Sequence, residues 1–571
     1  MNKRTPLLVS NFKTLVSNGG YYVDKTSFIP LIEQDVNPYL FFLRPRRFGK
    51  SLHLSMLEHY YGLQFKDDFE KLFGEYYIGK PGNTTPLQNS YFTLTFNFSA
   101  IETGSLEGLS NSFLKRILDG LLAFRKEHGI LSENDIKYLS SEKIPADLLT
   151  SFFGILKNRS FSGKIFLFID EYDHFTNELF SFNPGWFADI VTGNGWVRKF
   201  YEAIKIYMGE GLIDRFFATG VTPVTLDSMT SGFNVARNIT LDDRYHSMAG
   251  FTEHELMVMV DHTIQNVTAV EMGSLIEDMR AWYNGSVFSP SAPGKLYNPQ
   301  MVINFLSHYR QKRVFPELMA DLNVTSDQKK ISTILEKCGE EAREAILKDV
   351  LEEGVIRERM TLQYNYDLPF SKTDAVSLLF YNGLLTLKSS FLGSYEYMIP
   401  NYVIRQLFWE YFREYFGGRS AISWDNSAID MSILQMSREG RIDLLVNYAG
   451  SVLKRLSNRD LQNFNEKTLK MIFLTVLMPS NGYFITSEHE NNAGYADFTL
   501  KRTPQNPGND DLLIELKYLK ESNKNELDHI IDTGKTQLSG YKESLLASRG
   551  EKYRAWLVVF VGKAAAKVIE V

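Results

Sequence analysis

Three groups of residues in this 571-residue chain have the types and spacing for phosphate chemistry. The first is Gly49-Lys50-Ser51, inside the run YLFFLRPRRFGKSLHLSML from Tyr39 to Leu57. Backbone N–H groups opening a helix there would face phosphate oxygens, Lys50 would reach the terminal phosphates and Ser51 would ligate Mg²⁺. Arg46, Arg47, Phe48 and Leu52 complete the loop as a nucleotide cradle. The pattern G-x-x-x-x-G-K-[ST] wants glycine where Arg44 stands, and the three arginines of Arg44-Pro45-Arg46-Arg47 add positive charge around the same place. The second group is Asp170-Glu171 in KIFLFIDEYD. Asp170 is read as the holder of Mg²⁺ and Glu171 as the general base, with Asp173 the next candidate base. Thr219, ending RFFATGV, stands where a residue sensing the γ-phosphate would sit. The third group is Asp497 with Glu515-x-Lys517 about 18 residues on. Two carboxylates on a divalent ion with an ammonium beside them are what phosphodiester hydrolysis needs: metal-activated water and charge neutralisation at the scissile phosphate. Glu466 and Gln537 could complete that site.

These residues need particular elements to position them. The apolar run before Arg44 reads as a strand and the pattern after Gly49 as a helix, while Ile165 to Ile169 reads as a buried parallel strand delivering its carboxylates at its C-terminal edge. In P-loop enzymes the acidic strand is expected beside the P-loop strand. A strand at Tyr91–Phe98 and a helix over Leu109–Arg125 fit between the two motifs, implying a parallel α/β sheet. Val23-Asp24-Lys25-Thr26 reads as a turn and helix cap. Arg237 and Arg244 are candidate sensor or trans-acting arginines, although surface arginine is their commoner meaning. From about 252 the pattern turns helical, with Thr268 and Glu271 spaced as a capping box, and a winged-helix-like piece follows at 374–400. Near the C-terminus a helix (Asn465–Leu477) precedes strands at Gly482–Glu488, Tyr495–Lys501 and Leu512–Tyr518, a helix near Asn525–Ala547 and a strand at Arg554–Val561. Alternation along a strand puts Glu515 and Lys517 on one face. Their place inside the apolar LLIELKYL implies pairing or a metal, because unpaired buried charge is costly.

Composition sets outer limits. At 44% hydrophobic and 23% charged the chain reads as globular, and its single cysteine, Cys338, leaves no intramolecular disulfide framework. No apolar run reaches the roughly 18 residues of a membrane helix and the N-terminal residues lack a signal-peptide core, so a cytoplasmic location without membrane contact is expected. The net charge of −6, and 14 Lys/Arg against 14 Asp/Glu over residues 461–571, give no basic footprint for nucleic acid.

With YYVDKTSFI, FLRPRRFGKSL, FLFIDEYD, FATGVTPV, GFNVARNIT, AGFTEHEL, WYNGSVF, SLLFYNGLLTL, GYADFTL, LLIELKYLK and QLSGY in place, the chain resembles a bacterial family joining an AAA-ATPase-like domain to a C-terminal PD-(D/E)xK nuclease-superfamily domain. The resemblance covers nearly the whole chain and accounts for PRRFGKS in place of the glycine-led loop. It implies three regions: an AAA-like P-loop sheet over 1–251, a helical lid or linker with a winged-helix-like segment over 252–430, and a restriction-endonuclease-like α/β domain over 431–571. It further implies ATP and Mg²⁺ or Mn²⁺ as cofactors and nucleic acid, DNA first, as partner; self-association into a homo-oligomer stays open. Where the family often has Gly-Arg before the second-strand Asp, this chain has Tyr495-Ala496. Two readings follow: an ATP-driven, metal-dependent nuclease, or a nucleotide-dependent switch whose nuclease-like domain only binds.

Overall fold

The computed structural model describes residues 7–571 except 183, 192–193, 224–232, 321–324, 363, 365–368, 421, 456–464, 479, 488–495 and 550–551. The chain divides into two compact units. One comprises residues 1–311, 333–346 and 354–400; the other comprises 312–332, 347–353 and 401–571.

The first unit is built on a five-stranded parallel sheet of β1 (Tyr39–Leu43), β2 (Phe92–Asn97), β3 (Ile165–Asp170), β4 (Ile213–Gly220) and β5 (Arg237–Asn238), in the order β2-β3-β4-β1-β5. All six residues of β3 are buried, as a strand covered on both faces requires. The helices α1 (Lys50–Tyr61), α2 (Leu106–His128), α3 (Pro145–Asn158) and α4 (Trp196–Gly209) supply the apolar cover. Phe113 of α2 meets Phe200 of α4 with ring centroids 5.1 Å apart, and Phe153 of α3 stacks on Tyr207 of α4 at 4.1 Å. The strand order corrects one expectation: β3 does not adjoin β1. Strand β4 lies between them, paired with both, so that Thr219 at its end comes between the phosphate loop and Asp170.

Arg44 is the second correction. It adds no charge at the mouth of the loop, because its side chain is 1% exposed and turned into the core. One terminal nitrogen donates to the carbonyls of Leu43 and Thr240 (2.9 Å each), the other to those of Tyr245 (3.1 Å) and His246 (3.2 Å). The guanidinium plane lies 4.5 Å from the Phe42 ring and 4.4 Å from that of Phe288. The terminal nitrogens are spent on carbonyls and the cation lies against two rings, while the buried Nε has no hydrogen-bond partner among the described residues. Lys25 is also more than part of a turn: it is buried and donates to both carboxylate oxygens of Glu255, at 2.6 and 2.8 Å. Glu255 closes a capping box with Thr252, whereas Thr268 caps the next helix by accepting from the Glu271 N–H. Later in this unit, helix Lys372–Tyr381 is followed by the hairpin Thr386–Phe391/Ser394–Met398, whose second strand also pairs with Ile356–Glu358.

The second unit carries a mixed sheet of β6 (Tyr483–Ser487), β7 (Phe498–Arg502), β8 (Asp511–Leu519), β9 (Tyr553–Val561) and β10 (Ala564–Glu570), in that order. Only β8 and β9 run parallel. Helix α5 (Glu466–Leu477) places Phe473 against Phe498 and Phe560, while α6 (Leu527–Arg549) packs Leu538, Tyr541 and Leu545 with Leu513, Leu557 and Val559. Among the described residues no helix is long and apolar enough to cross a membrane.

Arg44→Gly, which restores the consensus glycine, is expected to lower stability by about 3 kcal/mol or more in denaturant unfolding, since four buried carbonyls lose their donor and a cavity opens. An unchanged midpoint would contradict the structural role of this arginine.

Candidate nucleotide and metal sites

The phosphate loop leaves β1 at Arg44 and enters α1 through Gly49, whose φ of 86° suits glycine alone and which gives the helix no side-chain cap. The first-turn N–H groups of α1 therefore have the arrangement that receives an anion. Lys50 is 6% exposed and donates to the carbonyls of Arg44 (2.9 Å) and Pro45 (3.0 Å). Burial pulls its ammonium down to about 8, while Asp173, Asp170 and Glu171 oppose the shift. Ser51 and Leu52, like Arg46 and Arg47, are half-buried. Phe48 is not a side chain for a ligand: it is 2% exposed and packs on Phe288 with centroids 5.2 Å apart, and its carbonyl accepts from the Gly250 N–H at 3.1 Å.

At the end of β3, Asp170 accepts from the Thr219 hydroxyl at 2.6 Å and from the Asn97 amide at 3.3 Å. The bond between Thr219 and Asp170 follows from the interposed β4 and was not expected from the sequence, and Asn97, ending β2, is a further addition. Glu171 holds a positive φ of 55°, a strained backbone for a side-chain residue and one that turns it away from the strand. Its carboxylate lies 3.7 Å from His174 Nδ1, and the Arg46 guanidinium lies 3.0 Å from that same nitrogen. His174 went unnoticed in the sequence, although its place three residues beyond Glu171 at a helix start was the available signal. Asp173 is unsuited as a base: its carboxylate is 1% exposed and already accepts from the Val221 and Thr222 N–H groups, the Thr222 hydroxyl and the Asn177 amide. Arg237 and Arg244 are committed as well, both paired with Asp242 and with the buried Asp35.

In the other unit, Asp497 immediately precedes β7 and faces Glu515 of β8. The Asp497 N–H donates to Glu515 Oε2 at 3.2 Å, and the Asp497 carboxylate accepts from the Leu516 N–H at 2.7 Å. Glu515 is 4% exposed, and burial, then the neighbouring Asp497 charge, raise its carboxyl well above the ordinary range. Lys517 Nζ stands 2.8 Å from Glu515 and 3.7 Å from Glu466, so two expected carboxylates converge on one expected ammonium. Glu466 is also raised, by burial first. Lys470, one turn along α5 from Glu466, is the unforeseen member: it is 8% exposed with Nζ 3.5 Å from Asp497 Oδ1. A lysine inside the apolar LKMIFLTVL was its signal. Gln537 has no hydrogen bond to this group among the described residues. It lies exposed on α6, lining an open depression with His529, Asp532 and Thr536, because Leu538 and Tyr541 take the inward face. Tyr495 lies outside the described residues. Among the described residues no three His, Cys, Asp or Glu side chains gather into a metal cage. A divalent ion here would rest on two carboxylates and water, a set that suits Mg²⁺ or Mn²⁺.

Residues 6–230 match the family model described as predicted AAA-ATPase, and residues 464–570 match the PD-(D/E)XK nuclease superfamily. The chain accordingly joins an AAA-ATPase-like domain to a PD-(D/E)XK nuclease-superfamily domain, a nucleotide-binding and nuclease-like architecture. It is also similar to an uncharacterized protein in the vnfD 5' region of Azotobacter chroococcum mcd 1, at 25% identity over 311 residues. That match covers 52% of this chain and 50% of the relative, so the chain spans about half the length of the curated relative it matches.

Lys50→Ala is expected to abolish ATP binding in calorimetry without unfolding the protein. In the wild type, anionic phosphates should return Lys50 toward its ordinary value, so that binding above pH 8 takes up a proton. Affinity should then fall as pH rises from about 8 toward 10, by up to about tenfold per pH unit. A flat profile would place Lys50 away from the phosphates.

Proposed function

We propose that this protein binds and hydrolyses ATP in its P-loop domain and couples that cycle to metal-dependent cleavage of phosphodiester bonds in nucleic acid, DNA first, by its C-terminal domain. In this reading Lys50 and the α1 N-terminus hold the phosphates, Ser51 and Asp170 hold Mg²⁺, Thr219 senses the γ-phosphate through its bond to Asp170, and Glu171 accepts the proton of the attacking water. Asp497 and Glu515 carry the second divalent ion, and Lys517 neutralises the phosphate undergoing attack. The observation that carries the nuclease half is the backbone-locked pair of Asp497 and Glu515, with the raised Glu515 carboxyl beside Lys517. A buried carboxyl raised by desolvation and by a specific charged neighbour marks a candidate functional site.

A second reading, a nucleotide-dependent switch whose nuclease-like domain only binds, is favoured by a different observation: ammonium groups already stand against both carboxylates. Plasmid DNA incubated with the protein, Mg²⁺ or Mn²⁺, and with or without ATP, separates the two. The nuclease reading expects nicking or linearisation that Asp497→Ala removes while ATP binding survives; intact plasmid under every condition favours the switch. On the nucleotide side, Glu171→Gln is expected to retain ATP and to slow hydrolysis by about 10²-fold or more. A wild-type rate would show that the base lies elsewhere.

A further inference from the structure

Lys470 has no part in the nuclease reading, yet it is a buried lysine on an otherwise apolar helix face. Its neighbours on α5, Leu469, Ile472, Phe473 and Leu474, are core residues. Its ammonium is 3.5 Å from Asp497 Oδ1 and 5.9 Å from the centre of the Phe498 ring. Asp497 meanwhile commits its other oxygen, Oδ2, to the Leu516 N–H at 2.7 Å. Oδ1 carries no backbone hydrogen bond among the described residues, and it is the oxygen that the Lys470 ammonium faces. Glu515 is loaded in the same sense, with Lys517 at 2.8 Å from Oε1.

We propose that Lys470 is a tethered counter-cation, held against Asp497 in place of the divalent ion, and that its displacement sets the metal concentration at which the C-terminal site fills. The inference rests on the reading of Asp497 and Glu515 as metal ligands. Two carboxylates facing each other in an apolar setting repel, and an ammonium drawn from the adjacent helix relieves that repulsion. A metal entering the site must compete with a charge that cannot diffuse away, so that affinity is lower than the carboxylates alone would give. The flexible four-carbon stem suits lysine to this role, since its ammonium is a compact point charge able to swing clear.

The test is Mn²⁺ titration of the full chain by calorimetry, together with thermal unfolding in EDTA. Lys470→Met should tighten Mn²⁺ binding by about tenfold, as expected on removing one nearby like charge at partial burial. It should also lower the melting temperature in EDTA, and Mn²⁺ should recover the loss. Lys470→Gln must show the same tightening and serves if methionine beside Asp497 prevents folding. Lys470→Arg, which keeps the charge, should leave the affinity within about twofold of wild type. Weaker or unchanged binding in the neutral variants, with binding abolished in Asp497→Asn, overturns the counter-cation role while leaving the metal reading intact. An Asp497→Asn chain that binds Mn²⁺ as the wild type does overturns the metal reading, and the counter-cation role with it.

Discussion

The chain is organised by where it buries charge and by what satisfies each charge once water is gone. An ionised side chain taken out of water is tolerated only with partners at hydrogen-bond distance. Arg44 finds four carbonyls and two aromatic rings, Lys50 two loop carbonyls, Lys25 the carboxylate of Glu255, and Glu515 the ammonium of Lys517. In the first unit these arrangements fix the phosphate loop from below. Arg44 ties the loop's first residue to the segment from Thr240 to His246, and Phe48 ties its far side to Phe288. A loop anchored at both ends no longer needs glycine at its first position, because the residue there points inward rather than wrapping the phosphate.

The same anchoring gives Lys50 its character. Its ammonium rests on the carbonyls of Arg44 and Pro45 with the acidic end of β3 in electrostatic reach, so the free loop already holds the cation at the place where anionic phosphates would receive it. The β4 strand between β1 and β3 carries Thr219 to Asp170. Glu171, at positive φ, stands apart from that bond and beside His174 and Arg46. The acidic pair of the strand end is thereby divided into one member locked in the sheet and one free to reach solvent. That division of labour is what a metal holder and a proton acceptor require.

Much of this was legible in the sequence, for reasons particular to each element. Short apolar runs such as Ile165–Ile169 and LLIELKYL favour strands, and the alternation rule put Glu515 and Lys517 on one face, where they pair at 2.8 Å. What the sequence hid was side-chain direction and neighbour order. Nothing local says that Arg44 turns inward while Arg46 does not, because that depends on carbonyls some 200 residues away. The order of parallel strands is equally non-local, so the interposed β4 was not foreseen. Gln537 is exposed because a one-residue step on a helix moves a side chain by about 100°, and Leu538 takes the inward direction. Lys470 and His174 were overlooked because a single lysine or histidine in a helix usually has a bland meaning.

The central claim is that the paired carboxylates of the C-terminal sheet form a site for one divalent ion. Crystals of the protein soaked in Mn²⁺ and measured at its absorption edge test it most directly. The account predicts one anomalous peak between Asp497 and Glu515, with ligand distances of about 2.0–2.6 Å and the Lys470 ammonium displaced. An absence of density there at saturating Mn²⁺, with both ammonium groups still on the carboxylates, would contradict it.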